Sequence, residues 1–198
     1  MAREIPGRSE PGQQETERRA AEPQPAAEAA AGLAIHALHV AQGTLALCPL
    51  PGASGDYHGD LADIGAWQPG LVISLTTEAE HASVGAKLLG ADIQSLACRW
   101  VHLPVPDFQA PPPAIAVKWP AASASARHAL RGGGRVLVHC RGGCGRSGMA
   151  VLRLMVECGE PPAKALARLR AVRPCAVETQ DQMDWACAPY WAGEQDPG

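Results

Sequence analysis

The sequence predicts an α/β fold with a mainly parallel central sheet flanked by helices. Two observations predict it. Short apolar runs rich in Val, Ile and Leu alternate with longer stretches of helical period from Leu33 onwards. One of those runs passes straight through a glycine-rich loop into an apolar helix, as strand–loop–helix units of parallel sheets do. At 198 residues and 46% hydrophobic, the chain is long enough for one domain with a real core.

The strands are expected at Ile35–Val40, Leu45–Leu50, Leu71–Leu75, Arg99–Leu103 and Arg135–His139. Helices are expected over Asp60–Trp67, Glu78–Leu89, Ala114–Leu130, Ser147–Cys158, Pro161–Val172 and Gln180–Tyr190. Thr77 followed by Glu80 is a capping-box signature. Pro161 and Pro162 suit a first helical turn after the break at Gly159. Pro120 should kink or shorten the helix that it interrupts. Residues 1–32 are mostly Glu, Arg, Gln, Pro and Ala, too poor in apolar side chains to offset their ordering entropy. They are expected to be a disordered tail, with the domain over 33–192 and a second tail over 193–198.

Charge and cysteine usage narrow the function. A balance of 17 basic against 20 acidic residues, net −3, gives no electrostatic basis for binding nucleic acid or an anionic membrane. No apolar run approaches the roughly 18 residues of a membrane span, and the N-terminal stretch lacks the apolar core of a secretory signal. Seven cysteines, an odd number, in such a chain read as free thiols in a reducing, cytoplasmic setting. Cys48, Cys98, Cys158, Cys175 and Cys187 are expected to be small buried hydrophobes. Neither the cysteines nor the histidines fall at zinc spacing, so no metal or other cofactor is expected.

In parallel sheets, ligands bind at the carboxyl ends of strands. After the Arg135–His139 strand comes Cys140-Arg141-Gly142-Gly143-Cys144-Gly145-Arg146, and Ser147-Gly148 opens the next helix. The glycines let the chain wrap closely around a ligand. Inward-pointing N–H groups and the positive helix N-terminus make a cradle for phosphate. The same donors stabilise a thiolate at Cys140. Arg146 offers a bidentate fork for two phosphate oxygens, Ser147 a hydroxyl for the sulfur, and Arg141 a further cation. His139 would brace the loop through its ring.

His139-Cys140, five residues, then Arg146-Ser147-Gly148 resembles the signature of the cysteine-based protein tyrosine and dual-specificity phosphatases. The spacing of Gly142, Gly143 and Gly145 is most similar to the subgroup around the cyclin-dependent-kinase-associated phosphatase and its bacterial relatives. The resemblance implies a dual-specificity-phosphatase-like fold and a reaction through a phosphocysteine intermediate. It implies phosphoprotein or phosphopeptide substrates.

Such a mechanism needs a general acid facing the cradle. Asp107 is the only aspartate between Asp92 and Asp181, and it lies past the carboxyl end of the Arg99 strand in Leu103-Pro-Val-Pro-Asp-Phe. The resemblance agrees, since the family's acid sits in a Pro/Asp loop some thirty residues before the cysteine. Arg173-Pro-Cys-Ala-Val-Glu-Thr-Gln-Asp-Gln182 resembles the family segment that holds a glutamine near the hydrolytic water. Gln182 is the closer match and Gln180 the second, although Thr179 and Gln182 also read as a capping box. Cys144 is considered as a thiol that captures an oxidised Cys140 in a disulfide, or else as loop filler. A phosphoinositide or RNA 5′-phosphate substrate, and a phosphate-binding adaptor, are the rival functions.

Overall fold

A computed structural model describes Met1 and residues 32–189. The expected tails over 1–32 and 193–198 therefore lie outside the described residues, but for Met1 and Gly32.

Five strands form one sheet: β1 (His36–Val40), β2 (Gly43–Cys48), β3 (Leu71–Ser74), β4 (Arg99–His102) and β5 (Arg135–His139), in the order β1-β2-β5-β3-β4. β1 runs antiparallel to β2 across a two-residue turn, and every other pairing is parallel. The fold class read from the sequence holds.

Alternation along the strands divides the core between the two faces. Leu45, Leu47, Leu71, Ile73, Val136 and Val138 point to one side. There they meet α5 (Trp119–Arg131), α6 (Gly145–Glu157), α7 (Pro162–Val172) and α8 (Gln180–Cys187). Ala46, Cys48, Val72 and Leu137 point to the other side, against Ile64 of α1 (Tyr57–Trp67) and Leu89 and Ile93 of α3 (Leu89–Ser95). Each of the Leu, Ile and Val side chains contributes about 1.5–3 kcal/mol on burial.

Helix boundaries differ from expectation where local signals compete. The stretch from Glu78 to Leu89 is two elements, α2 (Glu78–Ser83) and α3, because Gly85 adopts φ +77 and breaks the run. Pro120 does not kink a long helix: a short turn, α4 (Pro113–Ala116), ends first, and Pro120 stands in the opening turn of α5. α1 starts earlier than Asp60, capped by Asp56 accepting from Gly59 N. Asp60 is instead buried and accepts from Gly52 N at 2.8 Å. The Thr77–Glu80 capping box forms as expected. No helix among the described residues is long and apolar enough to cross a membrane.

A buried carboxylate orients α6. Glu157 accepts from Trp119 Nε1 at 3.0 Å and Arg153 Nε at 2.7 Å, and also from the Ser123 hydroxyl. These contacts join α5 to α6, and the Arg153 guanidinium lies over the Trp185 ring of α8, 5.1 Å from its centroid. A satisfied buried charge of this kind fixes helix register, since removing one partner strands the others.

Candidate active site

β5 is the middle strand, and the chain leaves it at His139 directly into the glycine loop. Gly143 adopts φ +65, and a Cβ there would stand 2.6 Å from the Cys48 carbonyl carbon. Only glycine lets this loop turn against the end of β2. α6 then begins at Gly145 with no side chain capping it, so its first-turn N–H groups are left for a ligand.

Cys140 is buried, with Sγ 3.2 Å from the Ser147 hydroxyl. Arg146 is 1% exposed. Its Nη2 and Nη1 donate to the two Glu80 carboxylate oxygens at 2.7 and 2.9 Å, and Nη1 also donates to the Val105 carbonyl at 2.9 Å. Asp107 Oδ1 lies 3.0 Å from Nη2. Burial draws the Arg146 pKa down, but the Glu80 hydrogen bond and the charges of Cys140, Glu80 and Asp107 outweigh it and raise it. Arg146 Nε is buried with no partner among the described residues. A buried orphan donor beside open helix N–H groups is the donor set of an oxyanion site.

The ring of His139 is fully buried at the end of β5 and bonds to β3, while its Nδ1 has no partner among the described residues. Its Nε2 is hydrogen-bonded to the Ser74 hydroxyl, which also accepts from Trp100 Nε1 at 2.7 Å. Burial, with the neighbouring His81, His102 and Arg146 charges adding to it, holds the His139 pKa down at about 3, so the ring is neutral.

Arg141 is exposed at the rim and donates to Ser83 Oγ at 3.0 Å. Outside the loop, Arg173 donates to the Gly143 and Gly142 carbonyls, both at 2.9 Å.

Cys144 corrects the sequence reading. It is disulfide-bonded to Cys175 of the segment between α7 and α8, with Cα atoms 5.3 Å apart. Hence Cys144 is neither a free loop filler nor an available thiol for Cys140, and Cys175 is not a buried hydrophobe. Cys48, Cys98, Cys140, Cys158 and Cys187 are free. The sequence reading failed because a partner 31 positions away leaves no local trace.

Asp107, half-exposed, sits where the loop after β4 crosses the cradle. Phe108 next to it takes φ +60 and is 59% exposed, and its carbonyl accepts from Thr179 Oγ1 at 3.2 Å. A pocket of about 240 Å³ opens over the loop, lined by residues 140–142, Cys144 and Gly145 from the loop and by Asp107, Phe108 and Glu178. Gln180 is outside it, donating to Asp184 at 2.7 Å. Gln182 is fully buried: Oε1 accepts from Glu178 N at 2.9 Å and Nε2 donates to the Gln109 carbonyl at 3.5 Å. Thr179 does cap α8, accepting from Gln182 N at 3.3 Å. Glu80, Arg173 and Glu178 were not singled out for the site by sequence. Glu80 carried a signal only as half of a capping box.

This arrangement can bind a tetrahedral dianion, present a thiol to its centre and place a carboxyl opposite. No curated protein sequence matches the chain. Among solved structures, the chain resembles kinase-associated phosphatase with its catalytic-site cysteine replaced by serine. That pair has 21% identity and a TM-score of 0.70 over 79% of this chain and 93% of the other. It also resembles the active form of Tk-PTP, at 29% identity and TM-score 0.58 over 71% and 87%. PTPMT1 in complex with PI(5)P matches at 15% identity and TM-score 0.61 over 77% and 91%. A family model, the Swiss Army Knife protein DSP-PTPase phosphatase domain (PTP-SAK), matches residues 59–186. The chain therefore belongs to the PTP-SAK family of dual-specificity and tyrosine-type phosphatase domains.

Proposed function

We propose that the protein hydrolyses phosphotyrosine or phosphoserine/threonine monoesters of proteins in two steps, through a phosphocysteine at Cys140. One observation carries this reading: Cys140 and Asp107 line one pocket, and Arg146, 3.0 Å from Asp107 Oδ1, keeps a buried Nε with no partner among the described residues. Cys140 Sγ attacks phosphorus as the P–O bond to the leaving group breaks, and Asp107 donates a proton to that oxygen. Arg146, through its unpartnered Nε, and the N–H groups of residues 141–146 stabilise the equatorial oxygens, the kind of preorganised term that dominates such chemistry. In the second step a water oxygen bonds to phosphorus as the P–S bond breaks, Asp107, now the base, takes the water proton, and Ser147 donates to the departing sulfur of Cys140. His139, held neutral, positions the loop. No step calls on a metal or organic cofactor.

A second reading, a phosphoinositide or other non-protein monoester, has the complex of PTPMT1 with PI(5)P in its favour. The glycine loop contains Arg141 and Arg146 but no lysine, and the net charge is −3, which favours the protein substrate. An adaptor role would tolerate loss of Cys140 or Asp107, and both are present.

The test is a substrate panel of phosphopeptides, phosphoinositides and 5′-triphosphorylated RNA, run with wild type and Cys140→Ser. Turnover of phosphopeptides that vanishes in Cys140→Ser supports the proposal. Turnover retained by Cys140→Ser overturns it.

A further inference from the structure

The glycine loop is tied down residue by residue through its carbonyls. That of Arg141 accepts from Leu50 N–H at 3.2 Å, and those of Gly142 and Gly143 accept from Arg173 Nη2 and Nε, both at 2.9 Å. The Cys144 carbonyl accepts from Gly148 N–H at 2.8 Å, and the Cys144 sulfur is bonded to Cys175. The N–H groups of residues 142–145, by contrast, have no acceptor among the described residues. In a trans peptide the N–H points opposite to the C=O. Each carbonyl drawn towards Arg173 therefore turns the next residue's N–H away from it. Gly143 and Cys144 gain a free donor in this way.

Three of these ties come from one short stretch between α7 and α8. Arg173 and Cys175 lie two residues apart, and the Ala176 N–H donates to the Arg173 carbonyl at 2.9 Å, which closes a turn around Pro174. Together they hold three consecutive loop residues, 142 to 144. That is where the loop is most pliant: Gly142 is exposed, with no atom within 4 Å of the place a Cβ would take. Neither Arg173 nor Cys175 lines the pocket, so both act on a ligand through the loop. Cys175 is exposed and Cys144 half-buried. A disulfide so placed is open to thiol attack, as labile and regulatory bridges are and sealed structural ones are not.

We propose that Arg173 and the Cys144–Cys175 bridge form one clamp that shapes the phosphate loop from behind, and that its covalent half is a redox switch. The bridged protein binds a phosphoryl group tightly and the reduced protein binds it weakly. The inference rests on the reading of this loop as a phosphate site. A dithiol opens the clamp. One of its thiolates attacks Cys175 Sγ, the S–S bond breaks, and the electron pair goes to Cys144 Sγ, which takes up a proton. The second thiolate of the dithiol then displaces Cys175, which is protonated in turn. Two protein thiols and the cyclic disulfide of the reductant result, and Cys140 takes no part. Reduction leaves the Arg173 fork as the remaining tie and releases Cys144 with its N–H donor.

The experiment is calorimetry of inorganic phosphate binding to the full chain carrying Cys140→Ser, so that reductant acts on the bridge and not on the nucleophile. Oxidised glutathione sets the bridged state, dithiothreitol the open one, and far-UV circular dichroism accompanies each sample. Dithiothreitol is expected to raise the Kd about 10-fold, the scale of one hydrogen bond to an anion. Adding Cys175→Ser should give the same weak binding without reductant, and no further change with it. Arg173→Gln should weaken binding by the bridged protein. Arg173→Lys, which keeps the charge but loses the two-nitrogen fork, should bind as weakly as Arg173→Gln. Undiminished affinity in Arg173→Lys overturns the positioning role of the fork. A Kd that dithiothreitol leaves unchanged overturns the switch, and so does a fold lost on reduction, since the bridge is then a structural staple. A bridged chain that binds no phosphate, with Cys140 or with Ser in its place, overturns the reading of the loop as a phosphate site as well.

Discussion

Glu80 and Arg146 meet through two hydrogen bonds, Nη2 to Oε1 at 2.7 Å and Nη1 to Oε2 at 2.9 Å, although 66 residues separate them. The pair turns the guanidinium so that Nε, the one nitrogen without a partner, is the donor left over for a ligand. Glu80→Gln keeps the shape but removes the charge. It should lower kcat/KM for an aryl phosphate about 10-fold, the scale of one charge-assisted hydrogen bond. Steady-state kinetics with a thermal melt checks that the loss is in turnover and not folding.

The same pair sets part of the acid limb of stability. Burial pushes the Glu80 carboxyl up, but hydrogen bonds from Arg146 and Thr77 outweigh it and hold the pKa at about 2, against 4.5 ordinarily. Glu80 thus stabilises the fold fully above about 4.5, and this is lost as pH falls towards 2. His139 acts over a higher window. Its pKa is about 3 when folded and 6.5 ordinarily, so the unfolded chain gains a proton first and stability drops from pH 6.5 downwards. Denaturant midpoints at pH 7, 5.5, 4 and 3 should show His139→Gln flattening the decline that begins near 6.5 and Glu80→Gln the part below about 4.5.

Asp107→Asn separates leaving groups. An alkyl phosphate such as phosphoserine leaves as a strong base and should lose about 10²–10⁴-fold in kcat/KM, whereas p-nitrophenyl phosphate loses less because its leaving group needs less help. Equal losses on both substrates would remove Asp107 from the acid role.

Peptide mapping of unreduced protein should recover a Cys144–Cys175 linkage and no Cys140–Cys144 linkage. The bond closes a loop with a sequence separation of 31, which the chain-entropy account values at about 3–4 kcal/mol. Cys175→Ser should therefore lower the melting temperature under non-reducing conditions, and adding dithiothreitol to that variant should lower it no further.

Gly143→Ala tests the loop itself. The added methyl would meet the Cys48 backbone at 2.6 Å on a residue at φ +65. Neither obstacle is a flexible side-chain end, so loss of phosphate binding is expected even where the protein still folds, as read by calorimetry with inorganic phosphate.

What could be read from the sequence follows chain distance. Cys140, Arg146 and Ser147 were legible because strand, loop and helix are consecutive, and local chemistry explains all three. Asp107 was legible because few carboxylates compete for its sheet edge. Glu80, Arg173 and Cys175 reach the loop only through tertiary contacts, and their neighbours in sequence carry no sign of it. Gln182 shows the opposite hazard. Its residue type and position suited a water-holding role, yet the fold turns it inward and leaves Glu178 at the pocket.

β5 lies between β2 and β3, so the strand that delivers Cys140 has a partner on both edges. Amide protons of Val136, Leu137 and Val138 should exchange with deuterium only when the whole domain opens. The reactive loop is in this way tied to the last structure to melt. Heating should not yield a folded but slack enzyme, and the loss of turnover should trace the same curve as the loss of the sheet.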